Sequence, residues 1–143
     1  MVHDNRRTTM VYTDEQRRFL ADHVWGVLAT GRTDGSPQQS LVGYVLDDDG
    51  RILVLTQAAT AKWRNARRLP RVSFTVPDGR VHVVVYGVAE GIDRDPERAE
   101  RSADVLAAVR NAARPDPASI VDWLDADERR ILRITPQKAL MHE

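Results

Sequence analysis

The stretch VWGVLATGRTDGSPQQSLVGYVLDDDGRILVLT, residues 24–56, decides the fold. It holds three apolar, β-branched runs of strand length: Val24 to Thr30, Pro37 to Leu46 and Arg51 to Thr56. Gly31 ends the first run, and Asp34-Gly35-Ser36-Pro37 turns the chain, glycine being free to take positive φ and proline unable to continue a ladder. Asp47-Asp48-Asp49-Gly50 closes a second hairpin. Connections this short join only antiparallel neighbours, so the chain opens as a β-meander.

Upstream, Thr13 is placed to cap a helix and Gln16 to reach back in a capping box. The helix runs to about His23, with Phe19, Leu20 and Val24 as its apolar stripe. Residues 1–12 lack periodicity and read as a mobile arm before a single domain, 13–143. Downstream, Thr60 to Leu69 (TAKWRNARRL) reads as a helix stopped by Pro70. Arg71 to Val76 and Val81 to Gly91 return to strand patterning around a Pro77-Asp78-Gly79 turn. Asp95-Pro96-Glu97 opens a helix to about Ala113. A shorter helix, Ala118 to Ala126, follows. Ile131 to Thr135 and Ala139 to His142 form a last strand, interrupted by Pro136. About six antiparallel strands with a helix inserted after the third make an α+β chain, a closed or partly open β-barrel flanked by helices. Parallel βαβ winding does not fit turns this tight, and no strand is followed by a G-x-G-x-x-G dinucleotide fingerprint.

Composition bounds the function. The chain has 143 residues, 42% of them apolar, with 21 basic against 21 acidic side chains and no cysteine. Zero net charge argues against nucleic acid or an anionic membrane as the main partner. The lack of cysteine removes disulfides, thiolate metal sites and catalytic thiols. No run nears the roughly 18 apolar residues of a membrane span, and residues 1–18 carry no signal-peptide core. A soluble cytoplasmic protein is the expectation.

Chemistry concentrates in Thr56-Gln57-Ala58-Ala59-Thr60-Ala61-Lys62-Trp63-Arg64-Asn65, where a strand ends, a short polar loop follows and a helix begins. Unpaired N–H groups and the positive dipole end of a helix start attract an anion. Thr56, Gln57 and Thr60 add donors. A cation in the first helical turn is unfavourable unless an anion lies between, so Lys62 points to a phosphate; of 21 basic residues only Lys62 and Lys138 are lysines. Arg64 and Arg68 extend the positive surface at i and i+4. The competing reading is a solvated basic face with Trp63 and Ala66 packed inward. His82, Tyr86 and Glu90 share one face of the long strand; they are either proton donors over a bound ring or a solvent face. His3, His23 and His142 show no metal-ligand spacing. Ser36, Ser40 and Ser73 lack a hydrolase nucleophile's context. Trp25, Trp63 and Trp123 read as core or interface anchors.

The run Val24-Trp25-Gly26-Val27-Leu28-Ala29-Thr30, then Asp34-Gly35-Ser36-Pro37-Gln38-Gln39-Ser40, resembles the opening of the flavin/deazaflavin split-barrel family, which includes the pyridoxamine 5'-phosphate oxidase-like enzymes. Ala61-Lys62-Trp63-Arg64-Asn65 and Tyr86-Gly87-Val88-Ala89-Glu90-Gly91 are similar to its actinobacterial branch, which uses the deazaflavin coenzyme F420. The resemblance spans roughly residues 13–135. It implies a six-stranded antiparallel split β-barrel of the FMN-binding type, paired as a homodimer with cofactor sites at the interface. The ring would lie near Ser40, Thr56 and Gln57, and the phosphate at Lys62 and the helix start, with Thr60, Arg64 and Asn65 alongside. Thr60 stands where members often carry arginine, and Leu41 and Gly43 replace polar residues common on the second strand, giving a more apolar or more open pocket. The implied activity is hydride transfer from reduced F420 to an unsaturated small molecule. The alternatives are an FMN-dependent oxidoreductase of the same fold, or a non-catalytic module that binds flavin, deazaflavin or haem. Arg64, Arg67, Arg68 and Arg71 would form a basic track for the deazaflavin's anionic tail.

Overall fold

The computed structural model describes residues 11–143. Six strands close a barrel in the order β1-β2-β3-β6-β5-β4, with every neighbouring pair antiparallel: β1 (Trp25–Gly31), β2 (Pro37–Leu46), β3 (Ile52–Gln57), β4 (Arg71–Asp78), β5 (Val81–Ile92) and β6 (Arg129–His142). Helix α1 (Asp14–Ala21) precedes β1, and α2 (Ala61–Arg68) lies between β3 and β4. Helix α3 (Glu97–Arg110), a 3-10 turn (Pro117–Ile120) and α4 (Val121–Ala126) join β5 to β6. This is the six-stranded antiparallel split barrel expected from the sequence. No helix among the described residues is long and apolar enough to cross a membrane.

Period-two alternation sorts each strand into a barrel-facing and an outward set. Leu28, Val42, Tyr44, Ile52, Val54, Phe74, Val76, Val83, Val85, Leu132 and Ile134 fill the interior. A side chain on Gly26 would collide with the Phe74 ring, which packs edge-on against Tyr44 at 5.0 Å. Outside, Leu53, Ile92 and Ile131 form a second cluster under Val105 and Val109 of α3. Helix α3 approaches so closely that a Cβ on Gly43 would lie 2.6 Å from Val109.

Three boundaries differ from the sequence reading. Of the expected arm only residues 11 and 12 are described, and Tyr12 is buried, its hydroxyl donating to Gly50 O at 2.7 Å. Helix α1 starts with the capping box, Gln16 N donating to Thr13 Oγ1 at 3.1 Å, but ends two residues before His23. Pro136 does not interrupt β6. The strand is continuous, and one irregularity between Tyr86 and Gly87 leaves Gln137 without a partner on β5. A bulge absorbs the missing proline N–H without ending the ladder.

The pairing of β2 with β3 is short and shapes the site. Only Tyr44↔Val54, Val45↔Leu53 and Leu46↔Ile52 are joined. Beyond them the first half of β2 pairs with β1 alone, and Leu55 to Gln57 pair with β6 alone. The barrel wall is therefore split between β2 and β3, beside the start of α2.

Tyr44 ties this wall to α1, its buried hydroxyl donating to Leu20 O at 2.5 Å. Burial raises the phenol's pKa above its ordinary value, so it remains a neutral donor. Tyr44→Phe strands that carbonyl and is expected to cost about 1–2 kcal/mol. The check is a urea denaturation curve, whose midpoint should fall at unchanged slope. An unmoved midpoint would show that the hydroxyl does not anchor α1.

Candidate functional site

Strand β3 ends at Gln57, and a tight turn, Thr60 N donating to Gln57 O at 3.1 Å, delivers the chain into α2. Thr60 occupies the N-cap position, yet its hydroxyl caps nothing. It donates backwards to Gln57 O at 2.7 Å and contacts Thr56 Oγ1 at 3.0 Å. The single Thr60 hydroxyl proton is thus committed, so Thr56 is the donor between the two. The first intrahelical bond runs from Arg64 N to Thr60 O. The amides of Ala61, Lys62 and Trp63 are therefore left without intrahelical acceptors, and no acidic side chain lies in the first turn.

Lys62 stands in that turn. It is half-buried, and burial lowers its pKa below the usual lysine value. It forms no ion pair among the described residues, although eleven are found elsewhere in the chain. A partly desolvated cation thus stands at the positive end of a helix with no counter-charge among the described residues.

The other nominated residues divide into three groups. Thr56 and Asn65 are buried, and their polar atoms are engaged within the chain. Asn65 Nδ2 donates to Thr30 Oγ1 at 3.2 Å, and Asn65 Oδ1 accepts from Arg68 Nη2 at 3.1 Å. Thr30 in turn reaches Gln38 Oε1 at 3.4 Å, and Gln38 Nε2 donates to Ser40 Oγ at 3.2 Å. Asn65, Thr30, Gln38 and Ser40 therefore make a polar network beneath α2 at one end of the apolar barrel, with Thr56 bonded separately to Thr60; Thr30 and Gln38 were missed by the sequence reading. Ser40 belongs also to the half of β2 that β3 leaves unpaired. Gln57, half-exposed, ends the facing half of β3 on its outer side. The two strands are not paired with each other along these halves, so part of their backbone groups face the split.

Arg64 belongs to the third group. Two residues turn a helix by about 200°, so Arg64 points away from the side that carries Lys62. Its guanidinium donates to Ala59 O at 2.9 Å. With Arg67, Arg68, Trp63, Asp93 and Arg130 it lines a cleft of about 430 Å³. Arg67 and Arg130 both lie over the Trp63 ring, at 5.2 and 5.4 Å, and neither has a carboxylate partner among the described residues. Arg71 leaves this track: it starts β4 and lines a separate cleft. Arg130, on β6, takes its place, a substitution no local pattern in the sequence announced.

His82, Tyr86 and Glu90 do share an outward face but are not brought together. His82 stacks on His142 at 5.0 Å, Glu90 is paired with Arg133 at 2.7 Å, and Tyr86 lines the same cleft as Arg71. Trp63 is core, whereas Trp25 is 51% exposed. Among the described residues no cluster of three or more His, Asp or Glu is placed to hold a metal ion.

With this geometry the chain matches the family model described as pyridoxamine 5'-phosphate oxidase over residues 12–143. Among solved structures it is similar to a conserved hypothetical protein from Mycobacterium tuberculosis, at 27% identity and TM-score 0.79, covering 93% of this chain and 86% of that one. An F420 reductase superposes with TM-score 0.70 at 22% identity, over 90% of this chain and 98% of that one. A haem-binding protein from Mycobacterium smegmatis superposes with TM-score 0.65 at 23% identity, over 99% of this chain and 53% of that one. The last two likenesses are of fold.

The division between bonded and unpartnered residues has a thermodynamic signature in the ligand-free protein. Asn65→Ala takes away the donor to the buried Thr30 hydroxyl and should cost about 1–3 kcal/mol. Lys62→Met removes a charge that is desolvated without a partner, and should leave stability within about 0.5 kcal/mol or raise it. Parallel denaturant titrations compare the two. A Lys62 variant as damaged as the Asn65 variant would make Lys62 a structural residue.

Proposed function

The chain belongs to the pyridoxamine 5'-phosphate oxidase family, and on that footing we propose that it is a reductase that holds coenzyme F420, or FMN as the alternative, in the split between β2 and β3. The observation that carries this reading is Lys62. Its half-buried ammonium and the acceptor-free amides of Ala61 to Trp63 are the donor set that a phosphate monoester needs. The residues present thus fit the group. A reduced deazaflavin or flavin supplies a hydride to an unsaturated small molecule. Lys62 and the start of α2 take the phosphate, and the free edges of β2 and β3 meet the polar rim of the ring. Ser40 and Gln57 flank that position, and Thr56, Thr60 and Asn65 hold the turn and the helix in place. The apolar body of the barrel excludes water from one side.

What would discriminate F420 from FMN lies beyond the phosphate, where the deazaflavin carries an anionic tail. Arg64, Arg67, Arg68 and Arg130 place four guanidinium groups around one cleft against a single carboxylate, Asp93. Each exposed pairing contributes only about 0.2–1 kcal/mol, but several add and all are screened by salt. Fluorescence titration should therefore show F420 binding more tightly than FMN, with the gap narrowing as salt rises. Lys62→Ala should weaken both by about 2–3 kcal/mol, roughly 30–150-fold. Tighter FMN binding at every salt concentration would make the protein FMN-dependent. A dissociation constant shared by wild type and variant would remove the site. Consumption of reduced F420 with a panel of enones and quinones separates an enzyme from a cofactor-binding module.

The same reading requires a second copy of the chain. Leu41 is 70% exposed, and the pairings place Leu41, Val27, Thr75, Val84 and Leu140 in one outward row that no helix covers. Bare apolar rows of this kind mark an association surface. Light scattering at micromolar concentration should give a dimer, and Leu41→Asp should give a monomer that binds cofactor at least about tenfold more weakly. A monomeric wild type with full affinity would overturn the dimeric site.

A further inference from the structure

Beside that apolar row runs a second one, Gln39, Ala29, Ser73, Tyr86 and Lys138, and here the outer wall of the barrel sinks into a cleft of about 560 Å³. The volume is in the range of small-molecule pockets. Its lining is largely apolar and close to the backbone, and includes Ala29, Gly87 and Pro37. Gly87 is required there. A Cβ would lie 2.5 Å from Thr135 O, in the part of the β5–β6 ladder where the register shifts. The same irregularity projects Gln137 from the ladder onto the rim of the cleft.

Four polar side chains belong to the same lining: Arg71, Ser73, Tyr86 and Gln137. Ser73 and Tyr86 are directly cross-strand partners, so their side chains leave the sheet about 5 Å apart. Arg71 stands two residues before Ser73 on the same face. None of the four makes a side-chain hydrogen bond or ion pair among the described residues, whereas Arg68 and Glu90 on neighbouring elements are bonded. No carboxylate lines the cleft.

We propose that this cleft binds a small, planar monocarboxylate: Arg71 takes the carboxylate, Ser73, Tyr86 and Gln137 donate to its polar substituents, and its apolar body lies against Ala29 and Gly87. Arg71 is the one guanidinium among the lining residues, and it matches one carboxylate fork to fork. The site is separate from Lys62. Thr30, at its edge, is joined to α2 through Asn65, three residues further along the helix from Lys62. The proposal therefore needs no assumption about the cofactor.

The test is an amide-resolved NMR titration of the full chain with trans-cinnamate and with trans-cinnamamide, which has the same shape without the charge. Cinnamate should shift the amides of Gly31, Ser73 and Gly87 and bind about tenfold more tightly than the amide, or better. Arg71→Gln should abolish that preference while leaving cinnamamide affinity within about twofold. Arg71 is exposed, so the variant should melt with the wild type. Equal binding of the two probes to wild type, a preference that survives Arg71→Gln, or shifts confined to the Lys62 turn would each overturn the proposal. So would a cleft that takes neither probe because a second copy fills it. All these results are read without cofactor, so they leave the Lys62 assignment to stand or fall by itself.

Discussion

The β2–β3 ladder stops at Tyr44 and Val54, and most of what distinguishes this barrel follows from that stop. Two strands that part inside a closed wall leave backbone donors and acceptors without a ladder, and burying them unpaired would be costly. The chain ends β3 early, turns at Gln57 to Thr60 and sets α2 against the end of the barrel, on β1, β5 and β2. The polar network of Thr30, Gln38, Ser40 and Asn65 then faces the helix where the rest of the interior is aliphatic or aromatic. The split is thus a supported feature of the wall.

Helix α2 carries positive charge on both of its long sides and no acid in its first turn. On one side Lys62 is drawn toward the barrel and loses part of its hydration. On the other, Arg67 and Arg130 lie over Trp63, held by the ring's quadrupole in place of carboxylates. Thr60 occupies the N-cap position, but its hydroxyl is bound to Gln57 O, so the helix start keeps its free amides. Each of these choices is unfavourable for an isolated helix. Together they are consistent with a ligand that is anionic at two points.

The outer wall is divided as sharply. Over β2, β3 and β6 it is covered by α3, which Gly43 admits and Arg98 holds in place, buried and bonded to Asp95 and Asp125 at 2.9 and 2.7 Å. Over β1, β4, β5 and the first half of β2 it is bare, with Leu41 and Trp25 exposed on adjacent rows and unpartnered polar groups beside them.

Local physics made much of this legible in the sequence. Turn chemistry at Asp34 to Pro37 and Asp47 to Gly50 fixed antiparallel neighbours, the Thr13–Gln16 capping box started α1, and alternation separated inward from outward residues. Lys62 stood out because its distance from the start of its own helix is a matter of sequence spacing alone. What stayed hidden depends on pairings between distant segments. That Asn65 and Thr56 are bonded inside, that Arg130 joins Arg67 at Trp63 while Arg71 goes elsewhere, and that Pro136 is absorbed by a bulge opposite Gly87 are decided by strand register and by where α2 comes to rest. The order of turns sets which strands are neighbours. Only closure of the barrel sets which side chains meet across them, because a register is chosen by the packing of all six strands at once.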